Sequence, residues 1–378
     1  MKKDLQFFVS AGEYSGDLLG AKLALDIKQA FPRAGLSGVC GSAMTDAGVK
    51  PLLHISELNV MGFAEVLANI ARLRMLERSL LEQLDRNPPD IAILIDFPGL
   101  HFRLAEQLKM RGVKVVQFVA PKLWAWGEHR TEKLRNDFDA VMGIFSFEED
   151  FFRSRGVNYH YVGCPHLERV HSVRVTKAAL GLDESRRVVS FLPGSRVAEV
   201  KHILPVLLRI CKLMKEKEEV DCVIPLCDGI DIDAMFSPSM AEDVRNHFRI
   251  MPGMSLELMS VADACVVASG TATLECALVG TPLAVVYVMS DMTYEVAKKV
   301  VKTNHVSLVN LIMQRTVVSE HIQHFSAQTV ADEIIQLMSP GELRDKMMAD
   351  FQELKQNLYK RDHPSTVDVV STVLGVEP

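Results

Sequence analysis

Two short stretches in the second half of the sequence have the residue types of a phosphate-binding turn. Each follows an apolar run that predicts a buried parallel strand, and each precedes a helical pattern of apolar residues. Backbone N–H groups in such a turn, together with the positive end of the helix dipole, attract phosphate. The stretches consist of Gly194, Ser195 and Arg196, and of Ser269, Gly270 and Thr271.

Two charged side chains extend this prediction to a nucleotide site. Arg196 adds a positive charge to the first turn, and Glu275 lies one helical turn after the second, within reach of ribose hydroxyls. A carboxylate there also fits the helix dipole, so a purely structural role for Glu275 stays open. Two such turns at one sheet edge predict a cradle for a nucleoside diphosphate.

Two carboxylates follow predicted strands in the first half of the chain. Glu13 lies in the glycine-containing loop 10–17, and Asp96 ends the apolar run 91–96, directly before Phe-Pro-Gly. Ligands of open α/β sheets bind at the carboxyl ends of the strands. We therefore expect both carboxylates to face a ligand, although Asp96 could alternatively serve only to cap the following helix.

The elements that position these residues alternate between strand and helix through both halves. This pattern predicts an α/β protein with two Rossmann-like parallel-sheet domains facing a central cleft. We expect an N-terminal domain at 1–170, a nucleotide-binding domain at 171–345, and C-terminal helices at 346–378 that pack back on the first domain.

Composition limits the class of protein. The 378 residues are 48% hydrophobic and 24% charged, as in globular proteins, and the net charge of -6 argues against broad nucleic-acid binding. Seven cysteines without a CxxC pair indicate reduced thiols in a cytosolic protein. No window approaches the roughly 18 apolar residues of a transmembrane helix, so we expect a soluble or peripheral protein.

Metal-binding patterns are weak. Asp231 and Asp233 form a DxD triplet, but no apolar strand precedes it, so we interpret the irregular segment 228–248 as a solvated loop. Cys164 and His166 indicate a metal only faintly. We predict neither a metal nor another cofactor.

One amphipathic helix has two interpretations. The apolar segment 60–67 opens a helical pattern to about Leu84, with arginines off the apolar face. The pattern is typical of a core helix, but its first turns, including Met61, Phe63 and Val66, are also a candidate membrane or acyl-chain contact.

Five motifs, in order and spread over nearly the whole chain, resemble the signature set of the lipid-A-disaccharide synthase family. Departures from the family pattern occur at Arg130, which comes later than in Trp-Ala-Trp-Arg, and at Gly163-Cys-Pro-His, where Gly-His-Pro is expected and His166 comes two residues after the expected histidine. The motifs are SAGEYSGD at 10–17, NVMGF at 59–63, PKLWAW at 121–126, LPGSR at 192–196 and ASGTATLE at 268–275.

The resemblance implies a GT-B type, inverting, metal-independent glycosyltransferase. Such an enzyme joins UDP-2,3-diacylglucosamine to 2,3-diacylglucosamine 1-phosphate through a β-1,6 link and releases UDP. It acts as a monomer or homodimer at the cytoplasmic face of the inner membrane, in contact with phospholipid.

The implied chemistry gives the predicted residues their roles. Asp96 is the expected base for the acceptor hydroxyl, with Glu13 as its rival or as a binder of acceptor hydroxyls. Arg196 and the turn amides would offset charge on UDP, and Glu275 would hold the ribose. Asn310 matches a family position near the donor and is expected to orient the sugar or phosphate.

Two alternatives remain open on the sequence. One is another enzyme of the same fold, such as a UDP-N-acetylglucosamine 2-epimerase or a glycosyltransferase with a different acceptor. The other is a non-catalytic nucleotide-sugar or lipid-binding protein, which would have no use for Asp96 and Glu13.

Overall fold

The structure is a computed structural model that describes residues 4–58, 63–124, 127–227, 230–300, 303–359 and 362–377. The side chains of 63–70, 296–297 and 299–300 are not described. The predicted membrane contact at 60–67 therefore lies outside the described residues or side chains, as does Trp126.

The chain forms two compact units. Unit 1 contains residues 1–164 and 360–378, and unit 2 contains residues 165–359. The division falls six residues before the predicted boundary at 170. Of the C-terminal segment expected to return to the first domain, only residues from 360 onward belong to unit 1.

Unit 1 is built on a parallel sheet with seven strands among the described residues, in the order β3-β2-β1-β4-β5-β6-β7. Strand β4 is entirely apolar and every one of its residues is buried, and its neighbour β1 is mostly apolar. The strands are β1 (Gln6–Ala11), β2 (Gly35–Cys40), β3 (Lys50–His54), β4 (Ile91–Ile95), β5 (Lys114–Phe118), β6 (Ala140–Gly143) and β7 (Tyr159–Tyr161). The helices are α1 (Tyr14–Ala30), α2 (Ser42–Asp46), α3 (Phe63–Arg86), α4 (Pro98–Met110), α5 (Thr131–Asp137) and α6 (Glu148–Arg153).

Unit 2 repeats this plan with a parallel sheet of six described strands, in the order β10-β9-β8-β11-β12-β13. The strands are β8 (Arg187–Leu192), β9 (Val220–Ile224), β10 (Arg249–Ile250), β11 (Ala264–Ala268), β12 (Leu283–Tyr287) and β13 (Glu320–Ile322). The helices are α7 (Pro165–His171), α8 (Val197–Lys215), α9 (Ile232–Met235), α10 (Pro238–His247), α11 (Ser255–Val261), α12 (Thr271–Val279), α13 (Asp291–Val300), α14 (Leu308–Met313), α15 (Ala327–Leu337) and α16 (Glu342–Leu358).

The prediction of an irregular loop at 228–248 is wrong, because the segment contains α9 and α10. Asp231 caps α9 by accepting the N–H groups of Asp233 and Ala234. Ser237 caps α10 by accepting the N–H of Met240, and a proline occupies the first turn. The DxD carboxylates therefore serve a helix cap and, through Asp233, an ion pair with Arg245.

The last two helices belong to different units. Helix α16 packs against α12, α14 and α15 in unit 2, whereas α17 (Thr366–Leu374) packs against α1, β5 and β6 in unit 1. Val369 and Val370 bury the apolar face of α17. Only α17 therefore returns to unit 1.

No helix within the described residues is both long enough and apolar enough to cross a bilayer.

The strand order fixes where ligands can bind. In unit 1 the order reverses between β1 and β4, and in unit 2 between β8 and β11. Ligands of open parallel sheets bind outside the carboxyl ends of the strands at such a reversal. All the predicted site residues except Thr271, Glu275 and Asn310 lie in loops that follow one of these four strands.

Candidate active site

The two predicted carboxylates of unit 1 lie side by side at its reversal point. Ala11 at the end of β1 pairs with Ile95 at the end of β4, so the residues that follow these strands are neighbours. Glu13 is the half-buried N-cap residue of α1, and Asp96 is exposed. The structure therefore places Glu13 and Asp96 after neighbouring strands at one edge of the sheet.

The turn after β4 has an uncommon backbone. Asp96 and Phe97 both have φ of 49°, in the left-handed region that bulky residues rarely adopt. Pro98 then begins α4. Phe97 lies so close to Gly12 that a Cβ at residue 12 would come within 2.1 Å of the phenyl ring. The glycine of the first loop is thus required by the turn that carries Asp96.

Three buried polar side chains hold this turn. His101 Nδ1 lies 2.7 Å from the Asp96 carbonyl, and Gln117 Nε2 donates to the same oxygen at 3.2 Å. Because a carbonyl only accepts, His101 carries its proton on Nδ1 and accepts at Nε2 from the Ser10 hydroxyl, 2.9 Å away. Burial lowers the pKa of His101 to about 4, which keeps it neutral at physiological pH.

In unit 2 the two predicted anion-binding turns are also neighbours. Leu192 at the end of β8 pairs with Val267 of β11. Gly194 has φ of 100°, and a Cβ there would meet the Glu199 carboxylate at 2.7 Å. Neither α8 nor α12 has a hydrogen bond from the side chain of its N-cap residue, so the first turns of both helices lack this cap.

Arg196 lies at the edge of this cradle with a partner that the sequence did not reveal. Its Nη1 is 3.4 Å from Glu199 Oε1, and the Tyr287 hydroxyl is 3.4 Å from the same oxygen. About 41% of the Arg196 side chain is exposed. Glu199 therefore orients a guanidinium group that still faces solvent.

Hydrogen bonds within unit 2 shape the second turn. The Ser269 hydroxyl donates to the Val306 carbonyl at 2.9 Å, and the Thr273 hydroxyl donates to the Gly270 carbonyl at 2.8 Å. Glu320 in turn accepts from the N–H groups of Val306 and Ser307. The turn is thus tied to Val306 on one side and to the first turn of α12 on the other.

The structure places Glu275 away from open solvent. Only 4% of the residue is exposed, and its Oε1 lies 2.7 Å from Arg169 Nη1 and 3.3 Å from His166 Nδ1. Burial raises the pKa of Glu275, but the hydrogen bonds and charges of His166 and Arg169 outweigh it, so the net shift is downward. Glu275 joins α12 to α7, and a ribose contact remains a prediction.

Asn310 is also fully committed inside unit 2. Its Oδ1 accepts from the N–H groups of Val317 and Val318, and its Nδ2 donates to the Val318 carbonyl and to Glu320. Asn310 therefore holds Glu320 in place. Glu320 in turn holds the loop whose Val306 carbonyl accepts from the Ser269 hydroxyl. A direct contact with the donor remains a prediction.

The two residues that depart from the family pattern both have defined contacts. Arg130 stacks over Phe102, with its guanidinium carbon 4.4 Å from the ring centre, and donates to the Pro98 carbonyl at 3.3 Å. Burial lowers its pKa from the ordinary value. Arg130 thus reaches the first turn of α4 beside Asp96, whereas His166 pairs with Glu275 in unit 2.

Sequence reasoning missed His101, Glu199 and Glu320. The contact between His101 and Ser10 spans 91 positions, and Glu320 acts on a loop 13 positions earlier, so neither leaves a local pattern. The sequence did contain a signal for Glu199, because it is the acidic residue in the first turn of the helix that follows Arg196.

Two parallel-sheet α/β units, each with a reversal of strand order, define a protein of the GT-B fold. Solved structures of this fold resemble the chain over most of its length. The glycosyltransferase of kitacinnamycin aligns over 100% of both chains with a TM-score of 0.62 and 11% identity. A UDP-GlcNAc 2-epimerase from Neisseria meningitidis covers 94% of this chain and 99% of its own, with a TM-score of 0.56 and 14% identity.

The particular family follows from sequence comparison. The model of the family described as lipid-A-disaccharide synthetase matches residues 7–370. Lipid-A-disaccharide synthase of Myxococcus xanthus is 36% identical over 358 residues, or 93% of each chain. That of Geobacter metallireducens is 34% identical over 93% of this chain and 92% of its own. The chain belongs to the lipid-A-disaccharide synthase family of glycosyltransferases, and the predictions of family and fold class are confirmed.

Proposed function

We propose that this chain transfers the sugar of UDP-2,3-diacylglucosamine to the 6-hydroxyl of 2,3-diacylglucosamine 1-phosphate. The products are the β-1,6-linked lipid A disaccharide 1-phosphate and UDP. The observation that carries this proposal is the chemical contrast between the two reversal points. Paired carboxylates lie at one, and a guanidinium with uncapped helix amides lies at the other.

The contrast fits the two halves of an inverting displacement. The acceptor oxygen attacks C1 as the bond from C1 to the diphosphate oxygen breaks. Asp96 takes the hydroxyl proton, and Glu13 binds an acceptor hydroxyl or replaces Asp96 as the base. In the absence of a metal, Arg196 and the amides of the two turns stabilise the negative charge on departing UDP.

The acyl chains of both substrates place the reaction at a membrane surface. We propose a peripheral enzyme at the cytoplasmic face of the inner membrane, with segment 60–67 as the contact. We expect that replacing Met61, Phe63 and Val66 together by polar residues abolishes flotation of the protein with liposomes. Undiminished flotation would assign membrane contact to another surface.

The direct test incubates the protein with both acylated sugars and measures UDP release and the disaccharide by mass spectrometry. We expect turnover with and without EDTA. Asp96→Asn should reduce kcat by about 10²–10⁴ with little change in donor KM. Asp26→Asn, a change at a partly exposed residue of α1, is the matched control. Near-normal turnover of the Asp96 variant would remove Asp96 from the mechanism, and absence of the disaccharide in the wild type would reject the proposed reaction.

A further inference from the structure

A buried carboxyl group lies at the same end of the unit 1 sheet as Asp96 but has no part in the proposed mechanism. Glu148 begins α6 and is 1% exposed. Its Oε1 accepts from the Trp124 indole N–H at 3.0 Å, and its Oε2 lies 3.2 Å from the Tyr159 hydroxyl. Within the described part of the chain, Glu148 forms no ion pair with an arginine or lysine. Burial of an unpaired carboxylate is costly, so its protonation state needs explaining.

The hydrogen bonds around Tyr159 determine that state. The Tyr159 hydroxyl lies 2.7 Å from the Phe145 carbonyl, which can only accept, so the single hydroxyl proton is used there. The contact between Tyr159 and Glu148 then needs a proton from the carboxyl group. A neutral Glu148 supplies it, because Oε2–H donates to Tyr159 while Oε1 accepts from Trp124.

Electrostatics agree with this assignment. Burial raises the pKa of Glu148 to about 8, and the contacts with Trp124 and Tyr159 only partly oppose this rise. The charged groups that face Glu148 are Lys122, which lowers its pKa, and Asp96, which raises it. The protonated form therefore prevails at neutral pH.

Trp124 links Glu148 to the proposed base. It ends the segment 119–124, here called the Trp124 loop, which follows β5. Gln117, in β5, donates to the carbonyls of both Val119 and Asp96 at 3.2 Å, and the Asp96 N–H donates to the Phe118 carbonyl. The Trp124 indole also packs edge-on against Phe147, next to Glu148, with ring centres 5.2 Å apart. The Trp124 loop is thus fastened at one end to the Asp96 turn and at the other to Glu148.

We propose that Glu148 is a positioning residue for the proposed transfer reaction and that it acts as a neutral carboxylic acid, fastening the Trp124 loop beside Asp96. When Glu148 loses its proton to solvent, the bond to Tyr159 loses its donor and a negative charge appears beside the indole. The loop should then loosen as pH rises. This inference rests on the proposed function only for its consequence on turnover.

Tryptophan fluorescence tests the inference without substrates. The chain has two tryptophans, so Trp126→Phe leaves Trp124 as the only one. In this background we expect Trp124 emission to change between pH 6 and 9.5 with a midpoint near pH 8. Glu148→Gln, which keeps a donor and an acceptor, should abolish the transition. Glu132→Gln, an exposed change on α5, should retain it.

Turnover provides the second readout. The kcat of the wild type should fall above about pH 8, Glu148→Gln should remove this fall, and donor KM should change in neither. The inference would be overturned if the emission of the Trp126→Phe protein did not depend on pH. It would also be overturned if the transition persisted after Glu148→Gln in the same background. The first of these needs no change at Glu148, so a variant that fails to fold does not block the test. A normal emission transition without any sugar transfer would reject the proposed function and leave this inference standing.

Discussion

At the scale of single residues, Asp96 and Glu13 follow neighbouring strands but have different backbone conformations. Asp96 is in the left-handed region, and its carbonyl is held by His101 and Gln117, whereas Glu13 has extended backbone as the N-cap of α1. Because buried side chains fix the backbone that carries Asp96, and proton transfer depends on fixed geometry, we expect Asp96 to be the base. Glu13 is better suited to binding.

This difference predicts distinct kinetics for the two amide variants. Asp96→Asn should lower kcat by about 10²–10⁴ at nearly constant KM, because it removes a base. Glu13→Gln should mainly raise the acceptor KM, because an amide still binds a hydroxyl but less strongly than a carboxylate. Steady-state kinetics with the acceptor varied measure both. The reverse result would make Glu13 the base.

His101 gives the Asp96 turn a defined pH dependence. Its folded-state pKa is about 4, below the ordinary value of about 6.5, so the stability from its neutral form is present above pH 6.5 and is lost as pH falls through 4. His101→Asn keeps a donor to the Asp96 carbonyl but cannot become charged. The stability advantage of the wild type over this variant should therefore shrink between pH 6.5 and 4, as measured by urea unfolding at each pH. A constant difference would show that His101 does not titrate in this range.

At the scale of elements, the strands that carry the site were predictable and their supporting contacts were not. Apolar runs such as 91–95 and 264–267 mark strands buried on both faces. The short edge strands β3, β10 and β13 lack such runs and were missed. Helix α10 was missed although Ser237 and Pro238 form a typical helix start. The signal was present, but the expectation of a solvated DxD loop obscured it.

The fit between Gly12 and Phe97 predicts a localised defect. A Cβ at residue 12 would lie 2.1–2.6 Å from three Phe97 atoms, so Gly12→Ala must displace the ring and the Asp96 turn. We expect a loss of about 1–3 kcal/mol in the free energy of unfolding and a lower kcat. Gly99→Ala is the matched control, because a Cβ there meets nothing within 4 Å. Equal effects of the two changes, in thermal unfolding and turnover, would contradict this account.

At the scale of the whole molecule, the two units differ in how the chain builds them. Unit 2 is continuous from residue 165 to 359, whereas unit 1 needs the distant segment 360–378. In unit 1 the imidazole of His363 packs edge-on against Tyr161, with ring centres 5.3 Å apart, and a capping box of Ser365 and Asp368 starts α17. Helix α16 packs within unit 2, whereas α17 packs within unit 1.

This difference predicts that unit 2 folds and binds nucleotide by itself. A fragment of residues 165–359 contains the whole six-stranded sheet and both anion-binding turns, so it should unfold cooperatively and bind UDP with little loss of affinity. Arg196→Ala in the fragment should weaken UDP binding about tenfold or more, because a charged hydrogen bond is removed. Circular dichroism and calorimetry measure these effects. Residues 1–164 alone should be less stable than the same residues mixed with a 360–378 peptide, because α17 covers α1, β5 and β6. A folded 165–359 fragment that fails to bind UDP would contradict the assignment of the nucleotide site to the two turns.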